Sequence, residues 1–278
     1  MSSWSGRLFP KGTKQAEFLK LYSRIFNTVE GNTTFYALPR EEVVSRWRED
    51  TPDDFRFCFK FPKAVTHEKL LKDVDDVAAS FIERVAPLGD KLGTLVLQLP
   101  PRFGIRQLER LGTFLTGLPK QHRYAVELRH PVFFAAGPEE REAADLLRSV
   151  GVDTVIMDAR GLHATSSEAL AEVRDRKPNL PIVMRATGPQ PIVRCVPHEI
   201  WSEGARFVEP WIEQVTRWIG EGKQPYFFVH APDDTFAPEN AYRFHAMLAA
   251  RASVGTLPPW EGKLKEGPLG GDGQLGLF

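Results

Sequence analysis

Tyr124-Ala-Val-Glu-Leu-Arg-His-Pro131 is the stretch whose reading decides the fold. Tyr124 to Leu128 reads as a short buried strand that ends in ionisable chemistry: Glu127, Arg129 and His130. Pro131 has no N–H to give a sheet ladder, so the strand stops there. The same grammar, an apolar body closed by a polar group, recurs along the chain. Glu30 closes Phe26–Glu30, and Lys60 lies near the end of Phe55–Phe61. Gln98 follows Leu95-Val-Leu97, and Asp158 follows Thr154–Met157. Arg185 lies in Pro181–Ala186, and His230 follows Tyr226–Val229. These runs are nearly all apolar rather than alternating, as strands covered on both faces must be.

Between them lie helical periodicities. Thr13–Phe26, Arg40–Asp50, Asp73–Val85, Ile105–Leu118, Pro138–Val150, Ser167–Arg176, Val208–Ile219 and Pro238–Ala252 each space apolar residues at three and four. Strand and helix alternate throughout, which predicts a parallel sheet wrapped by helices. Polar groups at the C-terminal ends of successive parallel strands converge on one face, where barrel enzymes keep their sites. An open doubly wound sheet is the alternative, but no Gly-rich phosphate loop follows an early strand. The expected fold is therefore a TIM-type (β/α) barrel over residues 1–254, followed by a Gly- and Pro-rich tail over 255–278.

Composition bounds the function. The 278 residues, 42% hydrophobic, can bury one barrel-sized core. Thirty-six basic residues balance thirty-six acidic ones, so no global field draws the chain to nucleic acid or anionic membrane. Cys58 and Cys195 read as separate buried thiols. No run is long enough to span a bilayer and no secretory pattern opens the sequence, so the expectation is a cytoplasmic protein.

Four separated motifs carry a resemblance. Val29-Glu-Gly-Asn-Thr-Thr-Phe-Tyr36, Phe57-Cys-Phe-Lys-Phe-Pro62 with Thr66-His67, Leu97-Gln-Leu-Pro-Pro101 and Val126-Glu-Leu-Arg-His-Pro131 together resemble the YecE-like family, domain of unknown function 72. The likeness runs to about Ala252 and implies a TIM-type barrel with no settled activity. Many members open with an Ile-Gly-Thr strand before a Trp-rich loop. Here Met1 falls within that loop, so the first of eight strands is expected to be missing and the true start to lie upstream. Many members also close the last strand in Phe-Asn-Asn, where this chain has Val229-His-Ala-Pro232.

Glu30 and Glu127 can serve as acid and base, as metal ligands, or as rim partners of Arg129 and Lys60. Lys60 in an aromatic strand is a candidate for a lowered pKa. Asp158 joins these as a candidate catalytic group. Arg129 and Arg185 have the forked donors that hold phosphate or carboxylate, or that pair at the rim. Asn32, Tyr36, His67, Gln98, His130 and His230 are candidate substrate contacts. The histidines, Asp158 and the glutamates are also compatible with a divalent metal, although no close His-x-x-x-His spacing marks one.

A last signal is Gln274-Leu-Gly-Leu-Phe278, which resembles the bacterial sliding-clamp pentapeptide at Gln274, Leu275, Leu277 and Phe278. The alternative is a greasy terminus folded onto the barrel. The leading expectation is an enzyme for nucleic acid or another phosphate-bearing substrate, recruited to DNA by this tail. The alternatives are a non-catalytic small-ligand or adaptor barrel, and a carbohydrate-directed hydrolase using Glu30 and Glu127.

Overall fold

The computed structural model describes residues 2–231 and 234–259. The tail residues Gln274, Leu275, Leu277 and Phe278 lie outside the described residues. Seven parallel strands follow one another in sequence order around the sheet: β1 (Thr28–Gly31), β2 (Arg56–Lys60), β3 (Leu92–Gln98), β4 (Arg123–Glu127), β5 (Asp153–Asp158), β6 (Ile192–Cys195) and β7 (Tyr226–Val229). The helices are α1 (Phe18–Tyr22), α2 (Thr33–Tyr36), α3 (Glu41–Glu49), α4 (Asp75–Val85), α5 (Leu108–Gly117), α6 (Pro138–Ser149), α7 (Arg160–His163), α8 (Ala171–Arg176), α9 (Trp201–Gly220) and α10 (Ala237–Ala249). Their ends obey the expected punctuation. Pro138 opens α6, where an N–H has no partner to lose, and Gly151, at φ +68°, turns the chain into β5.

The sheet is nearly closed into a barrel. Cys58, Val96, Ala125, Val155, Ile192 and Phe228, one residue from each of β2 to β7, pack together as an interior layer. Side chains alternate across a strand, so the intervening residues face the helices. Phe57 and Phe59 pack outward on Trp47 of α3 and Phe61 on Phe81 of α4 and Phe114 of α5, whereas Val193 and Cys195 pack with Trp211, Ile212 and Val215 of α9. Each such fully buried side chain contributes about 1.5–3 kcal/mol through area removed from water. Both cysteines are unpaired and buried.

One predicted strand is corrected. Pro181–Ala186 carries no strand, and the sixth stave is Ile192–Cys195. Ile182, Met184 and Ala186 are apolar because they pack into the outer layer beside α9. Thr154 Oγ1 donates to the Arg185 carbonyl and Thr187 Oγ1 to the Val152 carbonyl, so this segment is tied to β5 by side chains rather than by a ladder.

Among the described strands, β1 and β7 each pair on one side only. The barrel therefore has one open seam between them. The amino-terminal loop reaches over the end of this seam, where Trp4 Nε1 donates to the Asp234 carbonyl at 2.7 Å.

Candidate active site at the barrel mouth

The interior layer fixes what lies above it. Two residues further along each strand, the same inward parity delivers Lys60, Gln98, Glu127, Met157, Arg194 and His230. Strand register sets Gln98 level with Glu127. Glu30, near the end of β1, completes the ring.

Arg194 is its hub. Its Nε lies 2.8 Å from Glu30 Oε1, and its Nη1 donates to Glu127 Oε2 at 2.9 Å. Arg129 grips the other oxygen of Glu127 at 2.5 Å through Nε and Nη2. Lys60 Nζ approaches Glu30 Oε1 at 3.7 Å, and His230 Nε2 lies 3.9 Å from Glu30 Oε2. On its far side His230 faces Asp234, with Nδ1 3.8 Å from Oδ1. Thr34 Oγ1 donates to the Lys60 carbonyl at 2.8 Å, which staples α2 to the end of β2.

The charges set one another. Burial pushes the Glu127 carboxyl up, but Arg129, Arg194 and Lys60 outweigh it and hold its pKa at about 2. Burial likewise raises Glu30, and Arg194, Lys60 and His230 bring it below the usual carboxylate range. Both acids are thus ionised at neutral pH. Lys60 is lowered to about 8 by burial, against the pull of Glu30. His230 is lowered by burial. At the rim His67 is held at about 4, first by burial and then by Arg129. Its ring meets Phe35 edge-on at 4.9 Å, and its carbonyl accepts from Arg102 Nη2.

Two members of the mouth escaped the sequence reading besides Arg194. Lys177 follows α8 and is lowered by burial and then by the nearby Arg194; Asp234 pairs with His230. Neither ends a strand, so the pattern that found the others passes over them. Ile192-Val-Arg-Cys195 does obey that pattern, but Pro189 and Pro191 crowd its start.

Of the predicted residues, Glu30, Lys60, Gln98, Glu127, Arg129 and His230 converge on the mouth. Asn32, just before α2, and Tyr36, its last residue, are exposed beyond β1, Tyr36 at 80%. Three lie elsewhere. Asp158 has the opposite parity: it turns to the helix layer, where Arg160 bonds both its oxygens and Trp211 Nε1 donates to Oδ2 at 2.7 Å. Arg185 pairs with Glu140 at the start of α6, at 3.1 Å. His130 caps the turn after β4, its Nδ1 accepting from the Val132 amide at 3.1 Å, and its ring fills the space beside Gly104. As for a divalent metal, no group of three His, Cys, Asp or Glu side chains among the described residues could hold one. The two inner carboxylates are instead committed to guanidinium groups.

The family model for the protein of unknown function DUF72 matches residues 1–263. The UPF0759 protein YecE of Escherichia coli is 43% identical over 223 residues, which span 80% of this chain and 82% of that protein. A DUF72 family protein from Thermotoga maritima shares the fold with a TM-score of 0.68 at 24% identity, covering 90% of this chain and 95% of that one. Another from Enterococcus faecalis aligns with a TM-score of 0.65 at 19% identity, covering 87% and 90%. The chain belongs to the DUF72 family.

Proposed function

We propose that the barrel mouth binds a phosphate-bearing substrate and hydrolyses it, with Lys60 as the base. One observation carries this reading. Lys60, Arg129, Lys177 and Arg194 gather around Glu30, Glu127 and Asp234 at the barrel mouth, and while Lys60 is protonated the cations exceed the acids by one. A dianionic phosphate group is the ligand that such a surplus favours, and forked guanidinium donors fit its oxygens. Water attacking phosphorus would form one P–O bond as the ester P–O bond breaks, with Lys60, once it has lost its own proton, taking one from the attacking water and solvent protonating the departing alkoxide. A pKa of about 8 leaves a working fraction of Lys60 in that form near neutrality.

The carbohydrate-directed reading fits less well. A glycosidase needs one carboxylic acid that stays protonated, and Glu30 and Glu127 are both driven toward the ionised form. The sequence adds a route to DNA: Gln274-Leu-Gly-Leu-Phe278 would dock on a sliding clamp with Leu277 and Phe278 as apolar anchors.

The test is a turnover panel of phosphate mono- and diesters, nucleotides included, set against neutral glycosides. Ester cleavage should rise with pH through about 8 and disappear in Lys60→Met. Cleavage of glycosides alone, or ester cleavage that survives Lys60→Met, would remove the reading. Calorimetry of the full chain against a bacterial clamp tests the tail, and loss of binding in Leu277→Ala with Phe278→Ala is the expected result.

A further inference from the structure

Exposed apolar side chains are scarce on this molecule, and two of them stand beside the mouth. Among the described residues the large hydrophobic side chains left exposed are Tyr36, Leu38 and Val77. Tyr36, the most open of the three, ends α2, the short helix that Thr34 staples to the end of β2. Its ring meets Phe35 edge-to-face at 5.1 Å, and Phe35 meets His67 in the same manner at 4.9 Å. Three aromatic rings therefore lead from solvent toward the charges of the mouth. His67 is the innermost, with its Nδ1 3.0 Å from Thr66 Oγ1. Arg129, Arg102 and Lys63 stand around it, and Glu127 is close enough to be felt. Burial first, and then these cations, hold the imidazole at about 4, so at neutral pH it adds a ring to the rim and no charge. Arg102 donates to the His67 carbonyl, and Lys63 lies 3.6 Å from Glu68 on the open surface. The rim thus sets exposed aromatic surface directly beside cations.

Resting on the anion reading of the mouth, we propose that the substrate is a nucleotide whose phosphate enters the inner cluster while its base stacks on Tyr36. Every base has a flat π-face, and aromatic side chains beside a cationic groove are how proteins hold unpaired bases without reading their sequence. A sugar phosphate would satisfy the cations and leave the rings uncovered. A protein partner is a poor match for so small a patch, since a stable interface buries about 800 Å² on each side. The base must be unstacked to lie on Tyr36, so the ligand is a free nucleotide or the end of a single strand rather than a duplex.

The experiment is calorimetry on the full chain with inorganic phosphate, deoxyribose phosphate and deoxyadenosine monophosphate. The nucleotide should bind about tenfold tighter than the sugar phosphate, or more. Tyr36→Ala should erase that difference and leave the affinity for the sugar phosphate unchanged, whereas Tyr36→Trp should keep it. Tyr36 is exposed, so the Tm should hold in both variants. A short oligodeoxyadenylate with a terminal phosphate separates the two sources of the nucleotide. Tighter binding than the mononucleotide assigns the site to strand ends and equal binding assigns it to free nucleotides, with dependence on Tyr36 required in both cases. If phosphate and sugar phosphate bind but the nucleotide binds no tighter, the base site falls while the anion reading stands. Equal weakening of all three ligands by Tyr36→Ala has the same consequence. If none of the three binds, the anion reading falls and takes the base site with it.

Discussion

Glu127 and Asp158 are both 1% exposed, both stand at the C-terminal end of a strand and both are gripped by arginine, yet they face opposite sides of the sheet. Glu127 looks into the barrel and shares Arg194 with Glu30. Asp158 looks out, held by Arg160 and Trp211. Neighbouring strands carry them, and one step of parity separates their roles. Inside, several charges of both signs are crowded together and shift one another. Outside, one acid meets one base and an indole N–H in a closed local set.

Arg194, which joins the two inner acids, is where the largest effect is expected. Arg194→Met leaves Glu30 and Glu127 buried without their shared partner and should cost about 3–5 kcal/mol in urea unfolding. Adding Glu30→Gln and Glu127→Gln should return most of that loss. A loss under about 1 kcal/mol for Arg194→Met would show that the cluster is not a coupled unit. Glu127 also sets an acid limb. Its folded pKa, about 2, lies below the unfolded value, so its contribution is complete above about pH 4.5 and is lost as pH falls toward 2. Glu127→Gln should flatten stability across that window by about 3 kcal/mol, read from Tm against pH.

Changes on the outer face should be smaller and functionally silent. Asp158→Asn should cost about 1–3 kcal/mol through its weakened bonds to Arg160 and Trp211, and leave ligand affinity at the mouth unchanged. Arg185→Ala removes a partly exposed guanidinium from the buried Glu140, which keeps its bond from the Ala136 amide, and should cost about 1 kcal/mol, also without changing affinity.

What the sequence reveals follows the same division. Six of seven strands and the run of helices are legible because each buried stave is an unbroken apolar run. Glu30, Lys60, Glu127 and His230 are legible because they end such runs. Parity is where the reading fails: Asp158 ends its run one residue past the inward position held by Met157, and a fully buried strand has no polar alternation to mark its faces. Arg185 misleads for a related reason. Ile182-Val-Met184 is as apolar as a stave, yet it lines the outside of the barrel, while Ile192–Cys195 is short and follows two prolines. Lys177 and Asp234 come from loops, whose positions depend on tertiary contacts that no periodicity encodes.

On the proposed function, the inner cluster, with its surplus of cations while Lys60 is protonated, binds anions and the outer pair does not. Calorimetric titration of the full chain with inorganic phosphate tests it most directly, beside Lys177→Ala from the mouth and Arg160→Ala from the outer face. An anion site at the mouth gives saturable one-site binding that weakens about tenfold or more in Lys177→Ala, equivalent to about 1.4 kcal/mol, and is unchanged in Arg160→Ala. Absence of saturable binding, or equal weakening in both variants, would contradict it.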